Sequence, residues 1–211
     1  VVLASFTAMA AHAGTGVWTG VAPRAKNIEA IARDPLNPSR MWCATFGSGV
    51  ARSLDGGATW TLYRTGLVST FVRCLAVEPH HPDSLFCGTE DGVYLSTDGG
   101  VTWAQARSAT SVRSLAIHPI KTGVIYAGAY GDGVWKSVNG GKNWSLVNLG
   151  LTNLLVRTVA LHPSKPETLL AGAGTGGGIH RSLNGGLSWV QVPDTTATVG
   201  ACVEIQYDRL D

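Results

Sequence analysis

The chain predicts an all-β protein, a β-propeller of four-stranded antiparallel blades, and three observations carry the prediction. An eight-residue phrase returns four times: Ser53-Leu-Asp-Gly-Gly-Ala-Thr-Trp60, Ser96-Thr-Asp-Gly-Gly-Val-Thr-Trp103, Ser137-Val-Asn-Gly-Gly-Lys-Asn-Trp144 and Ser182-Leu-Asn-Gly-Gly-Leu-Ser-Trp189. Its acidic or amide position falls at 55, 98, 139 and 184, so the intervals are 43, 41 and 45 residues, the length of a supersecondary unit copied along the chain. Around each copy lie short runs rich in Val, Ile, Leu and aromatics, bounded by Gly, Pro, Asp or Asn and without helical period.

Each repeat supplies four runs in order. The first ends in proline: Ile28 to Pro35, Val72 to Pro79, Val112 to Pro119 and Val156 to Pro163. The second is Met41 to Thr45, Leu85 to Thr89, Val124 to Gly128 and Thr168 to Gly172. The third is Gly49 to Ser53, Gly92 to Ser96, Gly133 to Ser137 and Gly178 to Ser182, and the fourth starts at the closing Trp. Four short strands in roughly forty residues make a propeller blade. One blade cannot bury both faces, and stacking on its neighbours does so. The blades are expected at about 27–65, 70–108, 111–149 and 155–193.

The phrase suits the turn between third and fourth strands. Asp-Gly and Asn-Gly tolerate the positive φ of a tight hairpin, and the Asp or Asn oxygen can accept backbone amides inside it. Asn139 and Asn184 keep the acceptor of Asp55 and Asp98 without the charge, so hydrogen bonding is the shared requirement. Thr59, Thr102 or Ser188 could tie back to that side chain, while Asn143 breaks the pattern. Trp60, Trp103, Trp144 and Trp189 clamp the hairpin with a large ring.

Ser-x-Asp-Gly-Gly-x-Thr-Trp resembles the Asp box, also called the bacterial neuraminidase repeat. Sialidases, xyloglucanase-type glycosidases, sortilin-type receptors and photosystem II assembly-factor propellers carry it. The wider pattern, an apolar run closing in His-Pro, then Tyr-Ala-Gly, then Gly-Val-x-x-Ser, is most similar to the last group and to the xyloglucanase type. The resemblance covers about 15–192 and implies a propeller.

At the N-terminus, the apolar run to Met9 followed by Ala11-His-Ala13 reads as the end of a secretory signal cleaved before Gly14, so 14–211 form one exported propeller domain. A buried N-terminal strand is the alternative. That run is too short to span a membrane, and no other apolar stretch reaches spanning length. Trp18 lies in phase with the other tryptophans, so 16–21 is expected to be a lone fourth strand, and 198–207 resembles a lone first strand. Such a count implies part of a larger ring or one completed by a partner.

Charged residues are only 14% and net charge is +2, which is no nucleic-acid footprint. Cys43, Cys74, Cys87 and Cys202 lack metal-ligand spacing. Cys43 and Cys87 hold equivalent places in adjacent blades, too far apart to bridge, and Cys74 with Cys87 leaves either a disulfide or two buried thiols.

Catalytic chemistry is sparse. The Arg-Ile-Pro signature implied by a sialidase is absent, the nearest segment being Ala22-Pro-Arg24. Xyloglucanase-type resemblance implies an Asp between second and third strands of the first blade, where Thr45-Phe-Gly-Ser-Gly49 stands, without a carboxylate. The next two blades carry Glu90, Asp91 and Asp132 there, as candidate acids or as solvated turn residues. Arg73, Arg113 and Arg157 follow the opening Val of three successive first strands, with Glu29 in the first blade. First strands line a propeller channel, so these arginines predict a positive arc suited to carboxylates on a partner, or else pairs with neighbouring acids. Arg52, Lys136 and Arg181 form a second set, read as exposed outer-strand charges, with Leu95 breaking it. His118 and His162, in the place of Asp34 and Glu78, read as solvated turn caps. No phosphate loop, cofactor motif or metal site is expected. These features lead to a non-catalytic binding or assembly module with a protein partner; a carbohydrate-active propeller, hydrolase or glycan-binding, is the alternative.

Overall fold

The computed structural model describes residues 27–193 and 205. The expected strands at 16–21 and 198–207, the leader at 1–13 and Cys202 lie, apart from Ile205, outside the described residues. Four four-stranded antiparallel sheets follow one another along the chain. The first blade is β1 (Ile28–Arg33), β2 (Met41–Thr45), β3 (Gly49–Ser53) and β4 (Thr61–Tyr63). The second is β5 (Val72–Val77), β6 (Leu85–Thr89), β7 (Gly92–Ser96) and β8 (Ala104–Ser108). The third is β9 (Val112–Ile117), β10 (Ile125–Ala129), β11 (Gly133–Ser137) and β12 (Ser145–Leu146). The fourth is β13 (Val156–Leu161), β14 (Leu169–Ala173), β15 (Ile179–Ser182) and β16 (Val190–Gln191). Strand order is sequential in every sheet, with the first strand innermost, and successive first strands lie beside one another. Fourth strands begin one residue after the box Trp.

The apolar core is the set of joints between blades. Trp42, Ala44 and Val50 of the first blade meet Val72, Leu85, Cys87, Tyr94 and Trp103 of the second. Cys74, Phe86 and Val93 of the second meet Val112, Ile125, Ala127 and Trp135 of the third. Tyr126 and Val134 of the third meet Val156, Val159, Leu169 and Trp189 of the fourth. Side chains alternate across a strand, which separates two cysteines. Cys87 stands opposite Leu75 in the ladder and packs toward the first blade, whereas Cys74, one residue earlier than Leu75, packs toward the third. Cys43, Cys74 and Cys87 are free and buried, so the disulfide alternative fails on geometry. Burial raises the Cys43 thiol to about 11 and the Cys74 thiol to about 12.

Inside each Asp-box turn the Asp or Asn oxygen collects donors. Asp55 accepts the Thr59 amide at 2.8 Å and its hydroxyl at 2.6 Å. Asp98 does the same with Thr102 at 2.9 and 2.5 Å. Asn139 accepts the Asn143 amide and the Ser137 hydroxyl, while Asn184 accepts the Ser188 amide and donates to its hydroxyl. The box serine closes the ring by accepting the second glycine's amide, as Ser96 does from Gly100 at 2.8 Å. Trp60 and Trp144 donate to their own turn, at Gly57 and Gly141. Trp103 and Trp189 are buried in the joint with the preceding blade, and Trp189 donates there to the Val147 carbonyl at 2.6 Å.

Two surface expectations are corrected. Arg52 and Lys136 are half-buried and bridge blades: Arg52 donates to the Gly99 carbonyl at 3.0 Å and Lys136 to the Gly185 carbonyl at 2.7 Å. Only Arg181 is exposed. His118 caps its turn, accepting the Ile120 and Lys121 amides on Nδ1, but is 2% exposed rather than solvated, because its turn packs toward the next blade, near Glu167.

Candidate functional site

Each first strand opens with an apolar residue followed by Glu29, Arg73, Arg113 or Arg157. In all four blades the pairing with the second strand shifts at that residue. Ile28 and Ala30 pair across Glu29, Val72 and Cys74 across Arg73, Val112 and Ser114 across Arg113, and Val156 and Thr158 across Arg157. A bulge leaves its extra residue out of the ladder, bends the strand and re-aims the side chain. Four repeated bulges on adjacent strands bring these polar side chains to one level of the inner wall.

There they meet the residues just after the second strands: Phe46, Glu90 and Tyr130. Arg73 is compensated. Its Nε lies 2.6 Å and its Nη2 2.5 Å from Glu90 Oε1, Glu29 stands 3.6 Å away, and the guanidinium covers the Phe46 ring at 4.3 Å. Arg113 and Arg157 both reach the ring of Tyr130, at 4.6 and 5.3 Å. Among the described residues neither has an ion-pair or hydrogen-bond partner, and the Nε of each is buried without an acceptor. Burial first, then the charge of Arg73, pulls the Arg113 pKa below its ordinary value; Arg157 acts in the same sense and Glu90 opposes. Planar donors held against an aromatic ring without an acceptor suit a bidentate carboxylate.

Asp91 and Asp132 are not part of this cluster. Asp91 accepts the Thr89 hydroxyl at 2.5 Å and the Tyr94 hydroxyl at 2.8 Å; burial and then that bond raise Tyr94 to about 12. Asp132 accepts the Thr110 amide at 3.0 Å and the Trp135 indole at 3.4 Å. Both hold turns. Asp55, Asp98, Asn139 and Asn184 likewise stay within their own hairpins. Among the described residues no group of three His, Cys, Asp or Glu could hold a metal, and no helix is long and apolar enough to cross a membrane. Phe46 and Tyr130 were missed from sequence; their signal is a shared repeat position, one column after the second strand.

Comparison with known proteins agrees with the repeat. The BNR/Asp-box repeat model matches residues 94–105. A probable oligoxyloglucan-reducing end-specific xyloglucanase of Neosartorya fischeri is 30% identical over 141 residues, 56% of this chain and 17% of that protein. Xyloglucanase Xgh74A of Acetivibrio thermocellus is 25% identical over 187 residues, 79% of this chain and 20% of that protein. The chain thus spans a fifth or less of these relatives. Among solved structures, an ancestral GH74 enzyme superposes with TM-score 0.74 at 26% identity, over 87% of this chain and 26% of its own. YCF48 bound to D1 peptide superposes with TM-score 0.61 at 18% identity, over 82% and 55%. The chain carries the Asp-box repeat on a propeller fold.

Proposed function

We propose that this exported Asp-box propeller segment is a non-catalytic recognition module that takes a carboxylate-bearing protein segment at the bulged end of its first strands. The observation that carries the reading is the pair Arg113 and Arg157: two half-buried guanidiniums over one tyrosine ring, with no ion-pair partner among the described residues. Leaving buried donors unsatisfied costs about 1–3 kcal/mol each, more for charged groups, and a ligand carboxylate would remove that cost. Arg73 plays a different part, because Glu90 and Glu29 already neutralise it and it buttresses Phe46. Glu90, with Asp91 and Asp132 in turns, leaves no free carboxylate pair of the kind glycoside hydrolysis uses among the described first-strand and turn residues.

The test is binding of an acidic peptide with a free C-terminus, followed by fluorescence anisotropy. Arg113→Gln with Arg157→Gln is expected to weaken binding by roughly tenfold or more, with Arg73→Gln acting less. Unchanged affinity of the double variant refutes the reading. A second reading, glycan binding, is favoured by the relatives named as xyloglucanases and by Phe71, 43% exposed and packed at a tilt 4.6 Å from Phe46. Binding of xyloglucan oligosaccharides without acidic-peptide binding would select it.

A further inference from the structure

The three joints between blades are unlike in their directional bonds. At the joint of first and second blades, Trp42 Nε1 and Arg52 both donate to the Gly99 carbonyl, at 2.9 and 3.0 Å. The Trp103 amide donates to the Thr65 carbonyl at 2.9 Å. Arg40 bridges Asp34 of its own blade and Asp83 of the next, and Phe46 pairs with Phe71 as an isolated β-bridge. The joint of third and fourth blades repeats this set. Tyr126 and Lys136 donate to the Gly185 carbonyl at 3.0 and 2.7 Å, and the Trp189 amide donates to the Leu149 carbonyl at 2.8 Å. Lys121 pairs with Glu167, and Tyr130 bridges to Leu155.

The middle joint has none of these. At the place of Trp42–Arg52 and Tyr126–Lys136, which face each other in their ladders, stand Phe86 and Leu95. Phe86 packs beneath Gly141 of the third Asp box and donates nothing. Across this joint the described residues show no backbone-to-backbone hydrogen bond. What crosses it is His80 Nε2 at 3.3 Å from the Pro119 carbonyl, a thiol contact from Cys74 to the Val112 carbonyl, Arg107 stacked 3.9 Å over Trp135 and, from the short connection itself, the Thr110 amide donating to Asp132 at 3.0 Å. The connection explains the difference. Residues 64–71 and 147–155 are long enough to fold across their joints, whereas 109–111 join β8 to β9 directly.

We infer that this propeller is assembled from two-blade units, first with second and third with fourth, and that it opens along the Phe86–Gly141 joint. In a repeat protein, stability is a sum of repeat terms and nearest-neighbour joints, so the joint with fewest bonds sets where cooperativity breaks. Arg73 and Glu90 belong to one unit, and Arg113, Tyr130 and Arg157 to the other, so opening divides the inner-wall cluster but leaves the paired arginines together.

Hydrogen exchange of the whole chain at rising urea, read by peptide mass, tests this without any ligand. The expected result is two sets of coincident opening curves, β1–β8 and β9–β16, dividing at 109–111. One common curve for all four blades, or a division at 64–71 or 147–155, overturns the inference. Phe86→Trp with Leu95→Arg copies the clasp of the first joint and is expected to slow opening between the sets by roughly tenfold. Arg40→Gln should speed exchange in β1–β8 and leave β9–β16 unchanged; equal acceleration in both sets also counts against the two-unit reading.

Discussion

Replacing Gly66 by alanine loads two separable costs onto one position. Its φ of +88° lies in the left-handed region, which an L side chain enters at about 1–2 kcal/mol. A Cβ there would also fall less than 3.0 Å from the Trp103 carbonyl carbon and oxygen, backbone atoms that cannot turn aside. Such overpacking adds about 1–3 kcal/mol, while the stiffer unfolded chain returns about 0.4–1 kcal/mol. The net destabilisation expected for Gly66→Ala is therefore about 1–4.6 kcal/mol, centred on about 3 kcal/mol. Gly56 supplies the control, because its φ is +72° but nothing lies within 4 Å of a Cβ. Gly56→Ala should cost about 1 kcal/mol or less. Gly150→Ala should reproduce the larger loss, since it meets the Trp189 carbonyl in the same way. Urea unfolding of the three variants, at unchanged slope, measures the difference. If Gly66→Ala is no less stable than Gly56→Ala, close backbone approach does not hold these joints and the reasoning fails.

Three further outcomes follow from the same geometry. Hydrogen bonds from the Thr59 hydroxyl and amide hold Asp55 at about 2, and Asp98 rests at about 2 because the bonds from Thr102 outweigh its burial. Both folded values lie below the ordinary 3.8, so their stabilisation is present above pH 3.8 and is lost as pH falls toward 2; Asp98→Asn should flatten that part of an acid-unfolding curve while Asp98→Ala destabilises at every pH. Burial, then Lys121, lowers the His118 pKa below 6.5. Its neutral form is the folded one, so stability is full above 6.5 and falls with acidification, and His118→Asn, which keeps an acceptor for the turn, should lose less stability between about pH 7 and about pH 5. Cys43, Cys74 and Cys87 should resist a thiol reagent until the chain unfolds, because burial raises each thiol and the thiolate is the reactive form; fast labelling of the native protein at any of them would contradict that burial.

The joints reward a closer look at what a repeat hides. Leu95 interrupts the set Arg52, Lys136 and Arg181 in sequence, and the interruption has a cause. It stands beside Phe86, which has no donor for a carbonyl beneath it, whereas Arg52 and Lys136 stand beside Trp42 and Tyr126, which do. At the three described joints these residues thus vary as pairs, whereas the exposed Arg181 faces Leu170. The long connections point the same way: Gly66-Leu67 and Gly150-Leu151 each pair a positive-φ glycine with a leucine packed on the joint core.

The period, the four strands of each blade and the hairpin role of the Asp box are legible in the residues alone. These rest on local chemistry: β-branched runs, Gly at positive φ, and an Asp or Asn oxygen within reach of its own turn. The repeat also sets Arg73, Arg113 and Arg157 in one column. It took the packed blades to show that the column sits on bulges, that Arg73 is neutralised by Glu90 and Glu29, and that Arg113 and Arg157 share Tyr130 with no ion-pair partner among the described residues. Bulge register, the face a thiol occupies and the partner of a charge all depend on the neighbouring strand or blade, which a repeat read along one chain does not specify.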